Sequence, residues 1–180
     1  MFKKCGTTRA VDMIKKRNNG DGLVCVELGC NRGFNALTWF WALPVKKAYL
    51  VDIYKPYITY EGVSDKYGSG YERFMDAKHR LRKFNDRIQF IIKDCVDAAN
   101  YIHDGEPDYI YYDAQRSYDS VKSNLDVWFP KLKVGGFITG RGFRSSNWEE
   151  AKAVLDFMSE HSEDALFDGR CNEWWIERIS

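Results

Sequence analysis

An α/β domain built on a doubly wound, mostly parallel sheet is predicted by three observations. Short apolar runs alternate with helix-like segments along most of the chain. The first run turns through glycines straight into a helix, "VCVELGCNRGFNALTWF" at residues 24–40. The last segment, "ALFDGRCNEWWIERIS", reads as two strands around "DGRCN", so the sheet is expected to close on an antiparallel hairpin.

Each element follows from its own stretch. Residues 1–20 form an N-terminal helical segment whose Lys15, Lys16 and Arg17 make a solvated basic face. "GLVCVELG" is the first strand, and the turn after it opens a helix at 33–43. "KAYLVDIY" is the second strand. The connection after it carries tyrosines at 54, 57, 60, 67 and 71, and is longer than most loops. It is expected to close over a ligand as a lid or to pack on the sheet edge. Helices at 71–84, 95–103 and 117–129 then separate the strands "RIQFIIKD", "PDYIYYDA" and "GGFITG". A final helix at 147–160 starts after an Asn147 cap. The near-continuous apolar runs are those of parallel strands covered on both faces.

Composition limits the function. At 180 residues, 44% hydrophobic and 16% aromatic, the chain forms one domain over 1–180 with an ample core. With 27 basic and 26 acidic residues the net charge is +1, so no global field gathers nucleic acid or an anionic membrane. Neither is expected as a partner. The five cysteines show no metal-ligand spacing, which fits a reducing compartment. The start has charges but no apolar leader core, and no run of eighteen apolar residues occurs, so a soluble cytoplasmic protein is expected. The aromatic content is compatible with a homodimer.

In sheets of this kind, ligands bind beyond the carboxyl ends of the strands. Those ends are Glu27 to Asn31, Asp52, Asp94, Asp113, and Gly140 to Arg141. A dinucleotide site needs Gly-x-Gly-x-x-Gly, so that the backbone meets a pyrophosphate. Here Gly29 and Gly33 remain, with Cys30 and Asn31 between them, and Glu27 would repel phosphate. Glu27 instead attracts an ammonium, directly or through water, while the turn's N–H groups take a carboxylate. An amino-acid-bearing nucleoside suits that pairing. Asp52 follows 25 residues after Glu27, where ribose hydroxyls are received. Asp94, beside Cys95, is placed for an adenine amino group between Ile53 and Val96, and equally to cap the next helix.

With these motifs the chain resembles the class I S-adenosylmethionine-dependent methyltransferases over residues 22–180. "VELGCNRG", "YLVDI", "FIIKDC", "DYIYYDA" and "LKVGGFITG" stand in the family's order. "DAQRSYDSVKSNLDVWFPKLKVGGFITGRGF" is similar to the macrocin and catechol O-methyltransferase-like branch. The resemblance implies a Rossmann-like sheet of five parallel strands plus a C-terminal antiparallel hairpin, seven strands in all. It implies S-adenosylmethionine as cofactor, held by Glu27, Gly29, Cys30, Asn31, Gly33, Asp52, Ile53, Asp94, Cys95 and Asp113. Asp113, Ser117 and Tyr118 match the branch, but Gln115 and Arg116 stand where it has Asp and His. Arg141 and Gly142 replace its later His/Asp pair. An arginine repels a divalent cation, so no metal is expected.

The expected activity is methyl transfer from S-adenosylmethionine to a small-molecule acceptor, at oxygen. Asp113 is the candidate base, and also a strand-end acid that bonds its own turn. Arg116, Arg141 and Arg144 are candidates to converge on a carboxylate or phosphate of the acceptor, and equally form surface ion pairs. His79, His103 and His161 lie away from the strand tips and take no catalytic part. Two alternatives stay open: a non-enzymatic binding module on the same fold, and an NAD(P)-dependent oxidoreductase.

Overall fold

A computed structural model describes residues 8–17, 20–59, 62–64, 68–143, 148–162, 164–170 and 172–180. The elements run α1 (Thr8–Arg17), β1 (Leu23–Leu28), α2 (Phe34–Ala42), β2 (Val45–Val51), β3 (Tyr57–Thr59), β4 (Gly62–Ser64), α3 (Gly70–Arg80), β5 (Ile88–Ile91), α4 (Cys95–Ala98), β6 (Tyr109–Tyr112), α5 (Tyr118–Trp128), β7 (Phe137–Phe143), α6 (Trp148–Glu160), β8 (Ala165–Arg170) and β9 (Asn172–Arg178). The main sheet has the order β5-β2-β1-β6-β7-β9-β8. Its first five strands are parallel, and β9 runs antiparallel to both β7 and β8. The parallel strands and the C-terminal antiparallel pair are those expected from the sequence.

β1 and β6 are buried along their whole length because helices cover both faces. Val24, Val26, Leu28, Ile110 and Ile138 point to one face and meet Leu125, Trp128, Val154 and Phe157 of α5 and α6. Cys25, Leu50, Tyr109 and Phe137 point to the other and meet Val11 and Ile14 of α1, Trp39 and Phe40 of α2, and Ala77 of α3. The period of two along each strand thus divides one chain between two cores. Strand order reverses between β1 and β6, which opens a crevice above their carboxyl ends.

The helix expected at 71–84 ends at Arg80 and gives way to a 3₁₀ turn at Arg82–Arg87, and two further elements differ from expectation. The helix expected at 95–103 is a single α-turn that tightens into a 3₁₀ turn at Ala99–Tyr101. The Ala99 N–H bonds to Val96 and Asp97, and the Trp128 indole takes the Cys95 carbonyl at 2.9 Å instead. A tertiary donor therefore ends the helix early. The other element lies in the tyrosine-rich connection, where β3 and β4 pair as a separate antiparallel hairpin. Three residues a side are too few to show a strand period.

A buried arginine holds the base of that hairpin. Arg73 of α3 donates through Nη1 to the Gly68 carbonyl and through Nη2 to the Lys55 carbonyl, both at 2.7 Å. Beside it, a side chain at Gly70 would collide with the Tyr54 carbonyl oxygen. Arg73→Met is expected to cost about 2–3 kcal/mol in urea unfolding, because two carbonyls lose a charged donor. It should also speed proteolytic cleavage between Lys55 and Gly68, and Arg73→Lys should restore little, since an ammonium lacks the fork that reaches both oxygens.

Candidate functional site

The crevice begins with the loop that joins β1 to α2. Gly29 has φ +89°, and a Cβ there would strike the Asp113 carbonyl oxygen, so only glycine lets β1 and β6 approach this closely. The N–H groups of Gly29 and Cys30 both donate to the Val51 carbonyl, at 2.9 and 3.0 Å. Asn31 sits in the left-handed region at φ 48° and donates its N–H to Asp52 Oδ2 at 2.8 Å. Asp52 Oδ1 accepts from the Tyr54 N–H at 2.7 Å, and the Tyr54 hydroxyl closes the ring on the Asn31 carbonyl at 3.0 Å. Gly33, at φ +73°, donates to the Cys30 carbonyl and starts α2 against the Leu81 side chain.

This bonding corrects one expectation. The N–H groups of Gly29, Cys30, Asn31 and Gly33 are already engaged within the chain. They shape the loop and are not a ready carboxylate cradle. Asp52 keeps acceptor capacity, since two of its roughly four lone-pair positions are used.

Glu27 lies deeper than the sequence suggests. The residue is 0% exposed, so its carboxylate is buried rather than at the crevice surface. Neither oxygen completes a hydrogen bond, although the Asn35 amide and Ala36 N–H lie near enough to ease ionisation slightly. Burial first, and then the Asp113 charge, push its carboxyl well above the usual range. Its neighbour across the β1–β6 ladder, Tyr111, is also buried, with its hydroxyl unpartnered.

Asp94 caps α4, its Oδ1 accepting from the Val96 N–H at 2.9 Å. Asp94 and Ile53 are exposed and Val96 is half-buried. Burial pushes the Cys95 thiol up to about 12, so it stays protonated. Burial likewise raises the thiols of Cys25 and Cys30.

A charged network runs from the crevice to α6. Asp113 Oδ2 accepts from the Asn35 amide at 3.0 Å and Oδ1 from Arg116 Nη2 at 3.0 Å. The Arg116 Nε stands 3.9 Å from Glu150 Oε2, and Glu150 Oε1 accepts from the Trp174 indole at 2.9 Å. Trp174 lies flush on β7, where a side chain at Gly140 would hit its ring. Burial holds the Glu150 carboxyl above its ordinary range, partly offset by the indole bond and by Arg116.

Among the described residues, Arg116 and Arg141 take different partners. Arg116 is drawn to Asp113 and Glu150. Arg141 stands on β7 opposite Glu173 of β9, near enough to Tyr111 to oppose the rise of its hydroxyl on burial. Arg144 and Asn147 lie outside the described residues. Tyr118 turns its hydroxyl to Asp156 of α6 at 2.8 Å and so braces two helices. His161 stacks on Phe157 beyond the far end of α6. Among the described residues, the grouping of Asp126, Glu160 and His161 could hold a metal ion, but Lys122 already bridges its two carboxylates at 2.7 and 2.8 Å.

Glu150, Asn35, Tyr111 and Trp174 were not legible as site residues. Glu150 falls three positions after Asn147 and reads as the acid of a helix cap. Only the return of β9 beside β7 shows that it receives an indole instead.

Comparisons with known proteins agree with this architecture. No curated protein matches the sequence. A proposed rRNA methylase from Clostridium thermocellum superposes with TM-score 0.70 at 17% identity, covering 99% of this chain and 100% of its own. A proposed methyltransferase from Streptococcus mutans, solved in complex with SAH, gives 0.68 at 14% identity, with 99% and 100% covered. The O-methyltransferase NovP gives 0.67 at 14% identity, with 94% and 76% covered. Among the described residues, no helix is long and apolar enough to cross a membrane. The profile of the methyltransferase domain matches residues 26–141, a span that holds the glycine loop and all four strand-end acids, and the chain belongs to that family.

Proposed function

We propose that the chain transfers a methyl group from S-adenosylmethionine to an oxygen of a small-molecule acceptor, without a metal ion. The observation that carries this reading is the buried Glu27 carboxylate with both oxygens unpartnered. A carboxylate held out of water without a partner is costly, and a cationic amine placed beside it removes much of that cost. Because Glu27 has no exposure, such a partner reaches it by displacing Asn35 or through a bridging water.

The residues present fit the rest of the cofactor. The spare lone pairs of Asp52 suit ribose hydroxyls, and the exposed Asp94 suits an adenine amino group flanked by Ile53 and Val96. Gly29, Cys30, Asn31 and Gly33 contribute the shape of the loop, and Cys95 the wall behind it. When bound, S-adenosylmethionine supplies an electrophilic methyl on a sulfonium.

The chain's own part is placement and charge. Asp113, fixed by Asn35 and Arg116, stands at the mouth of the crevice and accepts the acceptor's hydroxyl proton. Arg116 balances Asp113 and Glu150 together, so its charge is not free to select an anionic acceptor. That role falls to Arg141 and Arg144. The Arg116 guanidinium stands between the Asp113 and Glu150 carboxylates and would repel a divalent cation there, which supports metal independence.

Calorimetric titration with S-adenosylhomocysteine should show micromolar binding, reduced about tenfold or more, ~1.4 kcal/mol, in Asp52→Ala. Absence of heat at millimolar ligand, or tighter binding of NADH, would overturn the reading. A second expectation concerns Glu27. Its folded carboxyl titrates above the ordinary 4.5, so the folded state loses stability as pH rises from about 4.5 toward the raised value. Glu27→Gln should therefore raise Tm near neutral pH by about 2–4 °C, the shift that ~1 kcal/mol produces at this size. The gain should fade below about pH 4.5, and S-adenosylhomocysteine should bind the variant more weakly. A lowered Tm at pH 8 would show that the carboxylate is not under strain.

A further inference from the structure

α2 turns aromatic rings toward solvent along its length, from Phe34 at the crevice end to Trp41 at the end that leads into β2. Phe34, its first residue, is 60% exposed and Trp41, two turns on, is 66% exposed, with the half-buried Leu37 between them. Exposed rings that share one helix face form the kind of apolar patch that marks an interaction site.

The ground next to them is basic. From residue 76 to 87 the chain carries Lys78, Arg80, Arg82, Lys83 and Arg87 against Asp76 and Asp86. Asp76 is already held by Arg32. Among the described residues, Arg87 is the member of the five with an acid in ion-pair reach, Asp86 at 4.0 Å. The cations stand among the rings. The Arg80 guanidinium lies 3.6 Å over Phe34, and Lys83 stands 5.9 Å from Trp41. The 3₁₀ turn at Arg82–Arg87 supports this surface through Phe84, which is buried and edge-on to Trp41 at 5.3 Å, with Arg87 at 5.1 Å over it. A net charge of +1 for the whole chain conceals this local excess.

We propose that this face of α2, α3 and the 3₁₀ turn binds single-stranded nucleic acid, its rings stacking bases and its cations meeting phosphates. Four cations without an ion-pair acid among the described residues, set beside the open rings of Phe34 and Trp41, match a polyanion that carries π-faces at each repeat. A second copy of the chain packed face to face would set these cations against their own kind. The strip starts at Phe34, immediately after Gly33, so a strand laid along it reaches the edge of the crevice. The proposal stands on this surface alone and does not need the methyl-transfer reading.

The test is fluorescence anisotropy with a labelled single-stranded RNA of about twelve nucleotides, beside its DNA equivalent and a duplex. Micromolar binding of the single strands is expected. It should weaken roughly twentyfold between about 50 and about 200 mM salt if three phosphates are met. Trp41→Ala, and separately Arg82→Ala with Lys83→Ala, should each reduce affinity about tenfold, the double variant with a shallower salt slope. Thermal unfolding and S-adenosylhomocysteine titration report whether the variants keep their fold. No binding at low salt, equal binding by folded variants, tighter binding of anionic lipid vesicles, or a dimer that Trp41→Ala dissociates would each overturn the proposal.

Discussion

The Asp52 carboxylate decides the shape of the crevice. With one oxygen on the Asn31 N–H and the other on the Tyr54 N–H, it ties the loop after β1 to the turn after β2. Two residues with side chains, Asn31 and Tyr54, are thereby held in the left-handed region that glycine usually fills. That strain is sustained because the Tyr54 hydroxyl returns to the Asn31 carbonyl and the ring packs edge-on to Phe74.

This arrangement explains why the acids behave differently although they share a position at the strand tips. Asp52 and Asp94 are satisfied by backbone N–H groups and organise the chain. Asp113 is satisfied by side chains and joins both helical layers, through Asn35 of α2 and Arg116 before α5. Glu27 alone has both oxygens left over. A site of this kind is assembled from unequal acids, and the least satisfied one has the most to gain from a ligand.

The sequence was read well where burial controls it and poorly where a distant partner does. Apolar runs and their spacing located the strands, since burial on two faces leaves little choice of residue. The acids at the strand ends were visible for the same reason, as polar residues that interrupt apolar runs. The depth of Glu27 was not visible, because it depends on how Asn35 and Ala36 of α2 come to lie beside it. The pairing of Arg116 was hidden too, since Glu150 comes 34 residues later and reads as a helix cap. Short α4 and the β3–β4 hairpin escaped because Trp128 and Arg73 act on them from other elements.

The order of the last two strands has a consequence for how the molecule is assembled. β9 follows β8 in the chain yet lies between it and β7. While a growing chain has emerged only as far as β8, that strand has nowhere to dock, and β7 presents a bare row of backbone donors and acceptors. A fragment stopped at this stage would expose a template for sticking to other copies, and Glu150 would be waiting for its indole. Insertion of a late strand into an inner slot thus makes completion of the sheet and completion of the site a single event.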